Sequence, residues 1–137
     1  MAREKARYVA ALYPGGDYVV LGADTEVVVD GQILGKPADI DDAGRMLRLL
    51  SGSVHDVLTA VAVVGGRGDS AEVVRTRVRF TPLTEQEIAW YVETGEPMGK
   101  AGGYAIQGRG ARFIDRIEGS WSNVVGLPVA TVHRLIV

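Results

Sequence analysis

No cysteine occurs among the 137 residues, which excludes disulfides, thiolate nucleophiles and thiolate metal sites and agrees with a reducing, cytoplasmic setting. Long apolar runs are missing too. No stretch approaches the roughly 20 residues that span a bilayer, so no membrane partner is expected. The opening Met1-Ala2-Arg3-Glu4-Lys5-Ala6-Arg7 is charged and has none of the apolar core that marks a signal peptide. Positive charge is not in excess: 15 Lys and Arg against 17 Asp and Glu give a net charge of −2. A nucleic-acid partner, which needs a clustered positive field, is therefore not expected, whereas an anionic small molecule held by a few lysines is compatible. Neither glycine signature for nucleotide phosphates is present, neither Gly-x4-Gly-Lys-Ser/Thr nor the dinucleotide fingerprint after a strand. His55 and His133 lack metal-ligand spacing and read as surface or core-edge positions. Ser120-Trp121-Ser122-Asn123 offers no base to activate a serine and reads as a turn.

What is present is a globular composition, 47% hydrophobic and 23% charged with 18 glycines, at a length that builds one core and one domain over residues 1–137. Ala6, Val9 and Ala10 recur at helical spacing within residues 2–12, and Pro14-Gly15-Gly16 ends that helix. A short apolar strand over 18–21 follows, then one over 26–29 that turns through Asp30-Gly31 into Ile33-Leu34. Asp39 caps a helix striped by Ala43, Met46, Leu47 and Leu50 and stopped at Gly52. Residues 54–64 and 72–80 read as two long strands joined through Gly65-Gly66-Arg67-Gly68-Asp69. In the second strand Val74, Thr76, Val78 and Phe80 share one face, while Arg75, Arg77 and Arg79 line a solvated one. Thr84 with Glu87 forms a capping box for a helix to about residue 93, and a glycine-rich loop fills 95–110. A strand over 111–117, a turn and a helix opening at Pro128 close the chain. Strands interleaved with helices predict an α/β fold with a mixed, twisted sheet and flanking helices.

Four places carry chemistry. Asp24 is expected just past the strand at 18–21, where α/β sheets place their ligands, and can act as a general base or a hard oxygen ligand for Mg²⁺. An Asp-Thr pair is equally at home in a turn whose side chain caps a backbone N–H. Lys36, confined between Gly35 and Pro37, can act as a point charge for a phosphate or stand as an ordinary solvated lysine at a strand end, and Lys5 reaches the same region if the first helix packs beside the hairpin. The loop at 94–108 has the glycine density of backbone that approaches a ligand closely. Within it Gln107 offers a donor and an acceptor on one planar amide, suited either to a nucleobase edge or to loop backbone.

In order along the chain, Gly22-Ala23-Asp24-Thr25, Gly35-Lys36-Pro37, Leu50-Ser51-Gly52, His55-Asp56-Val57, Thr94-Gly95-Glu96-Pro97, Lys100-Ala101-Gly102, Ile106-Gln107-Gly108 and Asn123-Val124-Val125-Gly126-Leu127-Pro128 closely resemble the Maf (septum-formation) family. The resemblance covers essentially the whole chain. It implies a Maf/ITPase-like fold and hydrolysis of a nucleoside triphosphate between its α and β phosphates, with a divalent metal, Mg²⁺ or Mn²⁺, whose protein ligands stay unknown, and often a homodimer. It implies that Asp24 accepts the proton of the attacking water and that Lys5 and Lys36 contact the phosphates. Thr25 and Gln107 match the branch favouring dTTP and UTP over 7-methyl-GTP. The family normally opens with a strand and a Ser-x-x-Arg-Arg phosphate loop. This sequence starts at the helix carrying Lys5, so an N-terminally truncated domain is expected, with a catalytically inactive nucleotide-binding module as the alternative function.

Overall fold

The computed structural model describes residues 2–12, 19–65 and 68–136. Helix α1 (Ala2–Leu12) precedes strand β1 (Val20–Val29), which turns into β2 (Gln32–Leu34). Helix α2 (Ile40–Leu50) leads to the long strands β3 (Val54–Gly65) and β4 (Gly68–Phe80), then to α3 (Glu85–Glu93). Two one-turn 3₁₀ segments, Ala101–Gly103 and Arg109–Phe113, precede β5 (Ile114–Glu118), α4 (Trp121–Val125) and α5 (Val129–Ile136). The sheet order is β2-β1-β3-β4-β5.

Local chemistry explains most of these boundaries. Asp39 accepts the Asp42 N–H at 2.7 Å to cap α2, and Thr84 and Glu87 close a reciprocal capping box at α3. Asp30 and Gly31 both take positive φ, 48° and 75°, the requirement of a two-residue hairpin whose twist matches its strands. One face of the sheet buries Val27, Val29, Val57, Val78 and Phe80 against Leu47 and Leu50 of α2 and Ile88 and Tyr91 of α3. Burying each large apolar side chain stabilises by roughly 1.5–3 kcal/mol, and this layer is the main core. The opposite face carries α1, seated through Ala2 and Ala6 on Ala62. Arg75 and Arg77 lie on that outer face, more than half exposed, and reach Asp56 at 3.1 and 3.8 Å.

Several expectations are corrected. The α/β architecture with flanking helices is present, but among the described residues the four strand pairings are all antiparallel rather than mixed. The two strands expected at 18–21 and 26–29 form one strand, so Asp24 lies mid-strand, paired with Ala60, and not beyond a strand end. Polar residues at 24–26 conceal this continuity from a reading of apolar runs. The last strand begins at Ile114 because residues 109–113 coil into a 3₁₀ turn that buries Gly110 and Phe113. His55 is neither surface nor core-edge: it is 1% exposed. Ser120-Trp121-Ser122-Asn123 is the capped start of α4 rather than a simple turn. The helix stop at Pro14-Gly15-Gly16, residue 18 and the Gly66-Arg67 turn lie outside the described residues.

Candidate active site

β2 pairs only with residues 27–29 of β1, so among the described residues the stretch 20–26 has a strand neighbour on the β3 side alone. Along that stretch opens a cavity of about 280 Å³. It reaches from the α1 face, with Lys5 and Asp24, to the core face, with Thr25, Val27 and Tyr104. Lys36, Lys100 and Gln107 close its rim. All five residues singled out from the sequence (Lys5, Asp24, Thr25, Lys36 and Gln107) line this one cavity.

The placement of Lys5 follows from small residues. Gly22 pairs with Ala62, and a Cβ at Gly22 would overlap the Ala2 carbonyl, so its absence lets α1 lie directly on the sheet. One turn along, Lys5 Nζ stands 3.2 Å from Asp24 Oδ1. An ammonium has three donors, so Lys5 retains capacity for a phosphate oxygen beside Asp24. The pair also lowers the repulsion that an unpartnered carboxylate would exert on an incoming polyanion.

Lys36 follows β2, and the Gly102 N–H donates to the Gly35 carbonyl at 3.1 Å, fastening the glycine-rich loop beside it. The loop is clasped by Glu96, whose two carboxylate oxygens accept the Arg109 and Gly110 N–H groups at 2.8 and 2.9 Å. Partial burial pushes the Glu96 carboxyl up, but the Tyr91 hydroxyl, these two N–H groups and Lys100 outweigh it and hold the group below its ordinary value. Lys100 Nζ donates to the Glu96 carbonyl at 3.1 Å. Tyr104, on the cavity wall, shares a 2.6 Å hydrogen bond with His55 Nε2. Burial pushes the Tyr104 hydroxyl far up and the His55 imidazole down to about 4, against a weaker opposing pull from Asp56, so both are neutral near pH 7.

Sequence reasoning did not single out Lys100, Glu96, Tyr104 or the α4 residues Val124 and Val125. The glycine density of the loop pointed to its backbone but not to the side chain that holds it. Among the described residues, no group of three or more His, Cys, Asp or Glu side chains could hold a metal ion. Asp24 is the only carboxylate among the cavity's described lining. These residues do not build a metal cage of their own; they suit a cation that brings phosphate oxygens with it.

A second groove, about 580 Å³ between α2 and α3, is lined by Asp41, Glu85 and Glu93 with Arg48 as its cation. Arg48 is already bound to Glu85 at 2.8 Å, so this groove offers an anion little. Among the described helices none is long and apolar enough to cross a membrane.

Fold and cavity define an α/β domain with a lysine-rimmed pocket suited to a phosphorylated small molecule. The model of the family described as Maf-like protein matches residues 1–137, and the chain belongs to that family. It is 55% identical to a dTTP/UTP pyrophosphatase of Symbiobacterium thermophilum, over 99% of this chain and 68% of the relative. The dTTP/UTP pyrophosphatases of Koribacter versatilis and Hahella chejuensis are 52% and 54% identical over 99% of this chain and 69% and 68% of their own lengths. The chain thus spans about two thirds of these relatives.

Proposed function

We propose that this chain is a nucleoside triphosphate pyrophosphatase that hydrolyses dTTP and UTP to the monophosphate and pyrophosphate. One observation carries the reading: Lys5, Asp24 and Lys36, from three separate segments, line a single cavity with Thr25 and Gln107. The chain's likeness to dTTP/UTP pyrophosphatases supports the same substrate class.

In this reading the triphosphate lies against Lys5 and Lys36, whose charge-assisted contacts contribute about 1.5–3 kcal/mol each. Asp24 takes a proton from water as the water oxygen attacks the α-phosphorus, and the bond to the bridging oxygen of the β-phosphate breaks to release pyrophosphate. Lys5 holds Asp24 in place and offsets the negative charge that develops on the phosphoryl oxygens. Thr25 and Gln107 read the pyrimidine edge. A divalent cation, Mg²⁺ or Mn²⁺, carried in by the triphosphate supplies neutralisation of the departing pyrophosphate when bound. In this reading residues 1–137 form one domain that acts in the cytoplasm on a nucleoside triphosphate, and a homodimer is compatible with it.

The test is pyrophosphate release from dTTP, UTP, CTP and 7-methyl-GTP with Mg²⁺ or Mn²⁺. Turnover of dTTP and UTP is expected. Release from 7-methyl-GTP alone overturns the base assignment, and calorimetric binding of UTP without turnover would favour the inactive module.

A further inference from the structure

We propose that Thr59, which does not line the cavity, sets pyrimidine selectivity by fixing the direction of the Thr25 hydroxyl proton. This rests on the reading of Thr25 as a base-contacting residue. Thr25 and Thr59 are directly opposed across β1 and β3, with their Oγ1 atoms 3.0 Å apart. Thr59 is fully buried and its hydroxyl donates to the Asn123 carbonyl at 3.4 Å. A carbonyl can only accept, and a hydroxyl has one hydrogen. Thr59 therefore has only its lone pairs left for Thr25, and the Thr25 proton points inward to them.

Asn123 is a firm anchor for that chain. It is fully buried, and its side-chain nitrogen stands 3.1 Å from the Val57 and Val74 carbonyls and 2.9 Å from Thr76 Oγ1. The direction of the hydroxyl chain is thus set from a rigid point beneath the cavity. Above it, Gly126 ends α4 with φ of 126°, and a Cβ there would lie 3.9 Å from Thr25 Oγ1. The bare glycine leaves the hydroxyl oxygen uncovered. Thr25 then presents only an acceptor to the cavity. Uracil and thymine meet it with the N3–H donor, while cytosine brings a lone pair at N3 and is repelled.

The experiment is calorimetric binding of UMP and CMP to the wild type, Thr59→Val and Thr59→Ser, which is independent of turnover. The wild type is expected to prefer UMP. Thr59→Val, nearly isosteric but without the hydroxyl, frees Thr25 to rotate, and the preference is expected to fall about three- to tenfold, the worth of one neutral hydrogen bond. Thr59→Ser keeps the hydroxyl and restores it. A merely structural role would weaken both nucleotides alike. An unchanged UMP-to-CMP ratio in a folded Thr59→Val protein overturns the proposal, as does a wild type with no preference or no binding. Loss of the proposed hydrolytic function is read separately, from pyrophosphate release by the wild type.

Discussion

In the proposed mechanism Asp24 and Lys5 hold the chemistry in one atom pair, and each can be altered without disturbing the core because Lys5 is 54% exposed and Asp24 26%. Asp24→Asn removes the proton acceptor while keeping the shape, and kcat is expected to fall by about 10²–10⁴-fold with circular dichroism unchanged. Full retention of rate would remove Asp24 from its role. Glu96 acts at one remove, by holding the loop that carries Lys100 and Gln107. Glu96→Gln exchanges one acceptor oxygen for a donor facing a backbone N–H, and is expected to lower stability by about 1–3 kcal/mol in thermal unfolding while raising KM more than it lowers kcat. Lys36 and Gln107 were visible in the sequence because polar side chains beside glycine and proline stand out, and Asp24 because a carboxylate following an apolar run does. It did not reveal Glu96, Thr59 or His55, whose importance lies in partners 13, 34 and 49 positions away. No local pattern encodes such pairings.

Among the elements, helices were the most legible. Asp39 with Asp42 and Thr84 with Glu87 announce α2 and α3 because capping is local chemistry, written within four residues. β1 was harder to read, because its middle residues Gly22-Ala23-Asp24-Thr25-Glu26 lack the apolar alternation of an exposed sheet. Their strand conformation is imposed by nine paired positions on β3 and by α1 lying over Gly22. That dependence is testable. Gly22→Val puts a side chain into the Ala2 carbonyl, and the overpacking, about 1–3 kcal/mol, is expected to lift α1 from the sheet. Hydrogen exchange over residues 2–12 should accelerate and activity should fall as Lys5 leaves Asp24, with the α2 and α3 core still protected. Unchanged exchange in α1 would contradict the seating.

At the scale of the whole molecule, one buried group ties stability to pH. The His55 imidazole titrates near 6.5 when free and about 4 in the fold. Between these values the unfolded chain binds a proton that the folded chain does not, so stability rises with pH through that window. The contribution is complete above about pH 6.5 and lost progressively towards about pH 4, by about 3 kcal/mol in all. Urea unfolding from pH 7.5 to 4 should show this slope, and His55→Gln, which has no titratable group there, should flatten it relative to the wild type. An equal slope in both proteins would contradict the burial of the imidazole against the Phe80 and Tyr104 rings.

The central claim is that the lysine-rimmed cavity directs water to the α-phosphorus of a pyrimidine nucleoside triphosphate, and isotope placement tests it most directly. UTP hydrolysed in ¹⁸O-labelled water, with the products resolved by mass spectrometry, should yield UMP carrying the label and unlabelled pyrophosphate. Label in the pyrophosphate, or UDP and inorganic phosphate as products, would contradict it.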